Sequence, residues 1–357
     1  MKQKLKILFL LIFLGGSAFV FTQNGKMQTK QKTAAEVYKN IQVFKDLPAE
    51  DLDRVMTYMS GSLGVKCNFC HVPMQWEKDD KEEKTTAREM IKMTLAINKE
   101  NFGGRNEVSC ATCHNGKSHP QGMPVLGESL WARSNVQPTK ETLPTIDEVL
   151  DKYVAAIGGK SAVEKISTRW IKGTRTDVDG SPVAEEVFVK SPDKMLMVMT
   201  YPKSVVSNGF DGTKGWWASE KGVDEMHTAD AEQFKRDAQF FQPTRLKEIY
   251  KEMTVAGTDK LNEKAVYVVR ATTQAGARER LYFDKQTGLL VRRYAASPLP
   301  IGVFPTIIDY DDYRAVEGVK MPYSIKWSIP GQSWSLKVSE VKQNTAIDDA
   351  KFNQPAK

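Results

Sequence analysis

The four cysteines of this 357-residue chain occur as two pairs, and a histidine directly follows each pair. The first motif, C-N-F-C-H, spans residues 67–71, and the second, C-A-T-C-H, spans residues 110–114. Two of the four histidines of the chain therefore stand at the same place relative to a cysteine pair. This repeated spacing constrains the chain more than any other feature, because it commits every thiol to one kind of site.

The pattern C-x-x-C-H is typical of covalent haem c attachment. Two thiols reach the two vinyl groups on one edge of the porphyrin, and the adjacent imidazole turns under the ring to bind the iron. A zinc site uses the same residue types but needs a different closing pair of ligands, and disulfides are common in exported proteins. Neither alternative explains a histidine after each pair. The sequence therefore predicts two covalently bound haem c groups, held by Cys67, Cys70, His71, Cys110, Cys113 and His114.

The sixth ligand of each iron has to be a histidine or a methionine. His119 follows the second motif too closely to reach the opposite face of the same haem, and His227 lies far along the chain. Methionines precede each motif as pairs spaced by three residues, in segments with helical periodicity. The alternative is that these methionines fill the protein core, and spacing alone does not choose within a pair. The candidates are Met56 and Met59 for the first haem, and Met90 and Met93 for the second.

The N-terminus has the features of an export signal. Three lysines in the first six residues precede an apolar stretch over residues 7–20, with small residues at 16–18 for cleavage. We expect residues 1–22 to be a signal peptide or an uncleaved anchor to the inner membrane, and the protein to be periplasmic or otherwise extracytoplasmic. The net charge of +7 is not concentrated in any strongly basic block, which argues against a nucleic-acid partner.

The rest of the pattern predicts two domains joined by a linker. A helix over residues 34–44, capped by Thr33, opens a mainly helical haem domain over residues 33–120. Residues 121–144 are rich in proline and glycine, as in a linker. A helix over 146–157, stopped by Gly158 and Gly159, then opens a domain over residues 145–350. There, alternating strands with Asp-Gly and similar turns predict a curved antiparallel sheet, a half-barrel, interrupted by helix at about 229–251. The fold class is therefore α+β.

Residues 40–120 resemble the tetrahaem cytochrome subunit of photosynthetic reaction centres. The matching stretches are 56–60, 62–71, 87–93, 97–98 and 108–116. Because that family has axial methionines on helices upstream of its haem motifs, the resemblance implies Met56 for the first haem and Met90 for the second, with Met59 and Met93 as packing residues. The family has four haems and this chain has two motifs, so the resemblance covers about one module of the pair that builds a family member.

The second domain resembles the half-barrel of periplasmic lipoprotein carriers, whose concave face holds acyl chains. The matching stretches are 208–212 with 216–217, then 283–289, 310–314 and 318–322. The resemblance implies a lipid ligand in this domain, and the alternative is that the domain only scaffolds or docks the cytochrome. No convergent set of catalytic residues is evident, so we predict none.

These observations predict an exported dihaem cytochrome that carries electrons between a donor and an acceptor protein. The family resemblance suggests a membrane-bound reaction centre or a quinol-oxidising complex as a partner. Two alternatives remain. A dihaem peroxidase-like enzyme needs a haem with an open iron site, which carbon monoxide binding would reveal. A lipid- or quinone-binding half-barrel with the haems as a redox appendage would copurify with its ligand.

Overall fold

The computed structural model describes residues 31–120, 142–226, 228–240 and 242–355. The predicted export segment at 1–22, most of the predicted linker at 121–144, and His227 lie outside these residues. Over the described part of the chain, no helix is both long and apolar enough to cross a membrane.

The N-terminal domain consists of helices, and further short helices accompany the sheet of the second domain. Within the described residues the helices are α1 (Ala34–Val37), α2 (Asp51–Leu63), α3 (Glu82–Phe102), α4 (Cys110–His114), α5 (Ile146–Ala156), α6 (Lys160–Glu164), α7 (Thr228–Ala238) and α8 (Leu246–Ile249). Single 3₁₀ turns span Cys67–Phe69, Gln242–Thr244 and Asp349–Phe352.

Local sequence features explain the ends of the two main helices of the first domain. Acidic residues occupy the first turn of both α2 and α3, where they complement the positive end of the helix dipole. Gly64 ends α2 and Gly103 ends α3, each in the left-handed conformation that glycine adopts without strain. The helix predicted over 34–44 is wrong in length. Thr33 and Glu36 form the expected capping box, but the chain is already extended at Tyr38.

The second domain is an open sheet of thirteen antiparallel strands. The strands are β1 (Thr168–Thr176), β2 (Pro182–Lys190), β3 (Lys194–Thr200), β4 (Val205–Phe210), β5 (Gly215–Ser219), β6 (Gly222–Glu225), β7 (Tyr250–Leu261), β8 (Lys264–Thr273), β9 (Arg278–Asp284), β10 (Leu290–Leu299), β11 (Gly302–Val316), β12 (Val319–Ile329) and β13 (Gln332–Gln343). Their order is β6-β5-β4-β3-β2-β1-β13-β12-β11-β10-β9-β8-β7, so β1 pairs with β13 and β6 and β7 form the two edges. The predicted α+β, two-domain class with a half-barrel sheet is confirmed.

Helices cover one face of this sheet and complete its core. The capping box of Thr145 and Glu148 starts α5, whose buried Val149 and Leu150 pack over β7 to β9. Helix α7 covers β2 to β4, where its Ala238 is fully buried. The opposite face is closed at one end by the C-terminal 3₁₀ turn.

A buried ionic network ties α7 to the sheet. The guanidinium of Arg293 donates two hydrogen bonds to the Glu279 carboxylate, at 2.8 and 3.0 Å, and a third to Asp237 of α7 at 2.8 Å. The Tyr250 hydroxyl donates to the same Glu279 carboxylate at 2.6 Å. Although burial alone would raise it, the pKa of Glu279 lies below its ordinary value because of these partners, chiefly Arg293. Glu279 is therefore a buried carboxylate that depends on its counter-ion.

Replacement of Arg293 by leucine is expected to lower the free energy of unfolding by about 3–5 kcal/mol, because Glu279 is left charged and buried. The adjacent Arg292 is the matched control. It points to the other face of the strand and pairs with Asp309 at a partly exposed position, so Arg292→Leu should cost about 1 kcal/mol or less. Urea unfolding measures both, and equal losses would contradict this account.

Candidate functional site

The first cysteine motif follows directly from the end of α2. Gly64 reverses the chain, and the 3₁₀ turn Cys67–Phe69 then carries the first cysteine of the motif. A side chain at Gly64 would collide with the second motif segment, because its Cβ would lie 2.1 Å from the carbonyl oxygen of Gly116. The Gly116 amide in turn donates to the carbonyl of Ser62 at 2.8 Å. The two motif segments therefore abut through glycine backbone at the end of α2.

A cleft of about 600 Å³ opens beside the first motif. Its walls are mainly apolar and its volume is in the ordinary range of small-molecule and cofactor sites. The predicted ligands that line it together are Met56, Met59, Cys67, Cys70 and His71. A haem c site needs two cysteines for covalent attachment, one histidine as an iron ligand and one methionine as the other. This cleft brings all of these residue types together. Both methionines of the pair line the cleft, so the choice of Met56 stays a prediction.

The His71 ring is held in the orientation that an iron ligand needs. Its Nδ1 atom lies 3.2 Å from the carbonyl oxygen of Trp76, and because a carbonyl can only accept, Nδ1 carries the proton and Nε2 is left to bind metal. The Trp76 ring meets the imidazole edge-on, with centroids 5.6 Å apart. Burial is the largest cause that lowers the pKa of His71, which favours the neutral, metal-binding form.

Two cations of α3 hold the loop that carries Trp76. Lys84 donates to the Trp76 and Lys78 carbonyls, both at 2.7 Å, and Arg88 donates to the Asp79 carboxylate at 2.8 Å. Hydrogen bonds from Arg88 and Asn40 are the main reasons that the pKa of Asp79 lies well below its ordinary value. Lys84 and Arg88 are each only 8% exposed and both line the cleft. The sequence does not mark these two residues as part of a site, because Lys84 belongs to a run of charges typical of a solvated loop.

The second motif forms the short helix α4. Ser109 and Thr112 make a capping box at its start. The Nδ1 atom of His114 lies 3.0 Å from the carbonyl oxygen of Lys117, so this imidazole too presents Nε2 to a metal. Cys110 is only 9% exposed, and burial raises the pKa of its thiol. The same arrangement of imidazole and downstream carbonyl therefore occurs at both motifs.

The second pair of methionines lies on α3 in a different environment from the first. Met90 and Met93 are 37% and 44% exposed, on the side of α3 away from its buried residues Ile91 and Asn98. Their thioethers are accessible from solvent. The assignment of Met90, rather than Met93, to the second iron remains the prediction of the family resemblance.

The alternative chemistries of the cysteines find no support in this geometry. All four thiols are free of disulfide bonds. Among the described residues, no three histidine, cysteine or acidic side chains come together in a group suited to a metal ion such as zinc. Two cysteines and an oriented imidazole beside a cleft with thioethers are instead the arrangement of a c-type cytochrome domain, the class in which haem c is attached covalently.

Sequence comparison shows which cytochromes the chain is similar to. Residues 16–154 match the family model described as "Photosynthetic reaction centre cytochrome C subunit". The photosynthetic reaction center cytochrome c subunit of Thermochromatium tepidum is 26% identical over 171 residues, 42% of each chain. Cytochrome c-554 of Chloroflexus aurantiacus is 32% identical over 115 residues, 30% of this chain and 27% of its own length. The resemblance predicted for the haem domain is confirmed, and the chain spans less than half the length of these relatives.

Solved structures similar to the chain cover its second domain. A putative outer membrane lipoprotein-sorting protein domain from Vibrio parahaemolyticus is 12% identical, covering 58% of this chain and 95% of its own, with a TM-score of 0.43. A LolA superfamily protein from Nitrosomonas europaea is 12% identical, covering 59% of this chain and 99% of its own, with a TM-score of 0.42.

The contact of Gly64 with the second motif gives a test of the paired arrangement. Gly64→Ala and Gly103→Ala both place a side chain on a left-handed backbone, with φ of 67° and 60°. This backbone strain alone should lower the free energy of unfolding by about 1–2 kcal/mol in each variant. Only Gly64 meets another segment, whereas Gly103 faces open space. We expect Gly64→Ala to lower the thermal midpoint of the cytochrome domain clearly more than Gly103→Ala. Equal shifts would show that the close approach is unimportant.

Proposed function

We propose that this protein is an exported dihaem c-type cytochrome that passes electrons between a donor protein and an acceptor protein. The observation that carries the proposal is the single cleft that brings Met56, Met59, Cys67, Cys70 and His71 together. The haem iron supplies the one-electron chemistry when bound. The chain supplies the iron ligands, covers the ring and provides the surfaces that meet the partners.

The ligand set proposed for the two irons is His71 with Met56 and His114 with Met90. The backbone carbonyls of Trp76 and Lys117 orient the imidazoles. A methionine opposite a histidine raises the reduction potential relative to two histidines. Because each iron then has six ligands, the proposal favours a carrier over a peroxidase-like enzyme.

The cellular setting of the proposal comes from the N-terminal sequence and from the relatives. The basic and apolar run at residues 1–22 supports export to the periplasm, as a cleaved signal or as an anchor to the inner membrane. Relatives named as reaction center cytochrome subunits support a membrane-bound complex, either a reaction centre or a quinol-oxidising complex, as one redox partner.

The ligand set is tested by absorption spectra of the purified full-length protein. A pyridine haemochrome assay should count two c-type haems per chain, and the oxidised protein should show the weak far-red band of an iron–methionine bond. Met56→Ala should remove about half of that band, since one of two iron–thioether bonds is lost, and Met59→Ala should leave it unchanged. Met90→Ala and Met93→Ala form the same matched pair for the second haem.

Three results would contradict the proposed set. A band lost in Met59→Ala or Met93→Ala would move the ligand to the other methionine of that pair. A haemochrome count of one haem per chain would show that one of the two motifs does not bind haem. A high-spin haem that binds carbon monoxide readily in the wild-type protein would favour the peroxidase-like alternative.

A second candidate function, binding of an amphiphile by the half-barrel, is favoured by one specific observation. Seven buried side-chain nitrogen and oxygen atoms of the described residues have no hydrogen-bond partner, which is unusual because buried polar groups are nearly always paired. They belong to Arg169, Glu185, Asn208, Arg236 and Gln343.

These five residues lie on one side of the sheet. Arg169 lies opposite Gln343 across β1 and β13, and the strand register places Glu185 and Asn208 on the same face of the sheet. That face is the one covered by α7, which contributes Arg236. Arg236 also lines a cleft of about 450 Å³ between α7 and α8. The Arg169 guanidinium, with which no described carboxylate pairs, and the Asn208 and Gln343 amides have unpaired polar atoms beside apolar residues, which suits an amphiphile with an acidic head group.

Arg169 is the residue that tests this second candidate. No carboxylate among the described residues pairs with it, and burial lowers its pKa to about 10. Mass spectrometry of organic extracts should find an acidic amphiphile in the wild-type protein and less in Arg169→Met. Arg270→Met, at an exposed position of β8, is the control and should retain it. If the wild-type protein contains no bound organic molecule, this second candidate function is wrong.

A further inference from the structure

Two neighbouring hairpins of the half-barrel reach into the cytochrome domain. The β10–β11 turn and the β12–β13 turn lie at the same end of the sheet, because β11 pairs with β12. At the first turn, Ile301 is fully buried, in a cluster that includes residues of both domains. At the second turn, Pro330 packs against Gly61 of α2, where a Cβ would lie 2.7 Å from the proline ring. The two domains are thus in direct contact.

The β10–β11 hairpin meets the start of the helix that carries the second motif. The Asn106 side chain donates to the carbonyl oxygen of Leu299 at 2.6 Å. A Cβ at Gly302 would lie 3.1 Å from the Ser109 side chain, which caps α4. Cys110 belongs to the same apolar cluster as Leu299 and Phe304. Backbone position and burial of the second attachment segment therefore both involve the half-barrel.

The same hairpin also meets the helix that carries the first pair of methionines. A Cβ at Gly302 would lie 2.5 Å from the hydroxyl oxygen of Tyr58, which is buried on α2. Met56 and Met59 pack against the same apolar cluster, but on the side that lines the first cleft. Among the described residues, the cleft beside the first motif is lined only by residues of the cytochrome domain. The second motif, in contrast, packs directly against the hairpin.

We propose that the β10–β11 hairpin of the half-barrel is a positioning element of the second haem site. Leu299, Ile301 and Phe304 shield the edge of the site at Cys110, and the Asn106–Leu299 hydrogen bond sets the start of α4. The reduction potential of the second haem then depends on the hairpin more strongly than that of the first does. This inference rests on the proposed attachment of haem at the second motif.

The direction of the effect follows from charge. The oxidised haem carries one more positive charge than the reduced haem, and water stabilises the more charged form, so shielding from water raises the potential. Removing the Phe304 ring admits water at the Cys110 edge. The midpoint potential of the second haem should fall, and by more than that of the first.

The experiment is a spectroscopic redox titration of the full-length haem protein and its variants. Phe304→Ala is compared with Phe352→Ala, a matched control because Phe352 is also a buried phenylalanine of the half-barrel but packs beside Leu196 and Trp216, away from the hairpin. Asn106→Ala is the milder second variant, in case the loss of Phe304 prevents folding. The midpoint that moves in Met90→Ala or Met93→Ala identifies the second haem.

The expected result is a lower midpoint for the second haem in Phe304→Ala, a smaller shift of that midpoint in Asn106→Ala, and wild-type values for both haems in Phe352→Ala. Unchanged midpoints in both hairpin variants, or a shift confined to the first haem, would overturn the inference. Equal shifts in Phe352→Ala would also overturn it, since the effect would then be general destabilisation. Failure of the proposed function is separate, because the haemochrome count of the wild-type protein would show it first.

Discussion

The close packing of α2 against the segment of the second motif is the contact on which the rest of the cytochrome domain depends. Gly64 and Gly116 meet through backbone atoms, and Gly116 donates to the carbonyl of Ser62. Because one helix end touches both motif segments, the first cleft and α4 are placed relative to each other by a single junction. A side chain larger than hydrogen at Gly64 would separate the two sites.

The two sites share their local chemistry but differ in their surroundings. Each histidine presents Nε2 because a downstream carbonyl accepts from Nδ1. The first site lies in a cleft whose wall includes the buried cations Lys84 and Arg88. At the second, Cys110 is buried against another domain, and the methionines predicted as ligands are exposed on α3. Two haems bound in such unlike settings, as we propose, would have different reduction potentials.

Local signals in the sequence were sufficient for much of this structure. Gly158 and Gly159 predicted the end of α5, and Asp211-Gly212 and Glu317-Gly318 lie at the hairpin turns where the pattern placed them. Strand β7 was missed, because its alternating pattern begins within a segment read as helix. The helix predicted to reach residue 44 ends at Val37, because the backbone is extended at Tyr38, which no local signal indicates.

Contacts between distant parts of the chain could not be predicted from local sequence patterns. Lys84 has the composition of a solvated residue, and it is buried because the loop carbonyls it binds fold back over it. The hydrogen bond from Asn106 to Leu299 joins residues 193 positions apart. Periodicity and turn residues describe neighbours along the chain, and they contain no information on which hairpin of a sheet will meet which helix.

The long sequence separation between the second motif and the hairpin also determines the order in which the two sites can form. The walls of the first cleft are complete once the chain up to Ile91 exists. Helix α4 has only five residues, too few to be stable by itself, and its neighbours at Leu299 and Phe304 are made nearly two hundred residues later. During synthesis from the N-terminus, the second motif therefore stays without its native surroundings until most of the half-barrel has followed it.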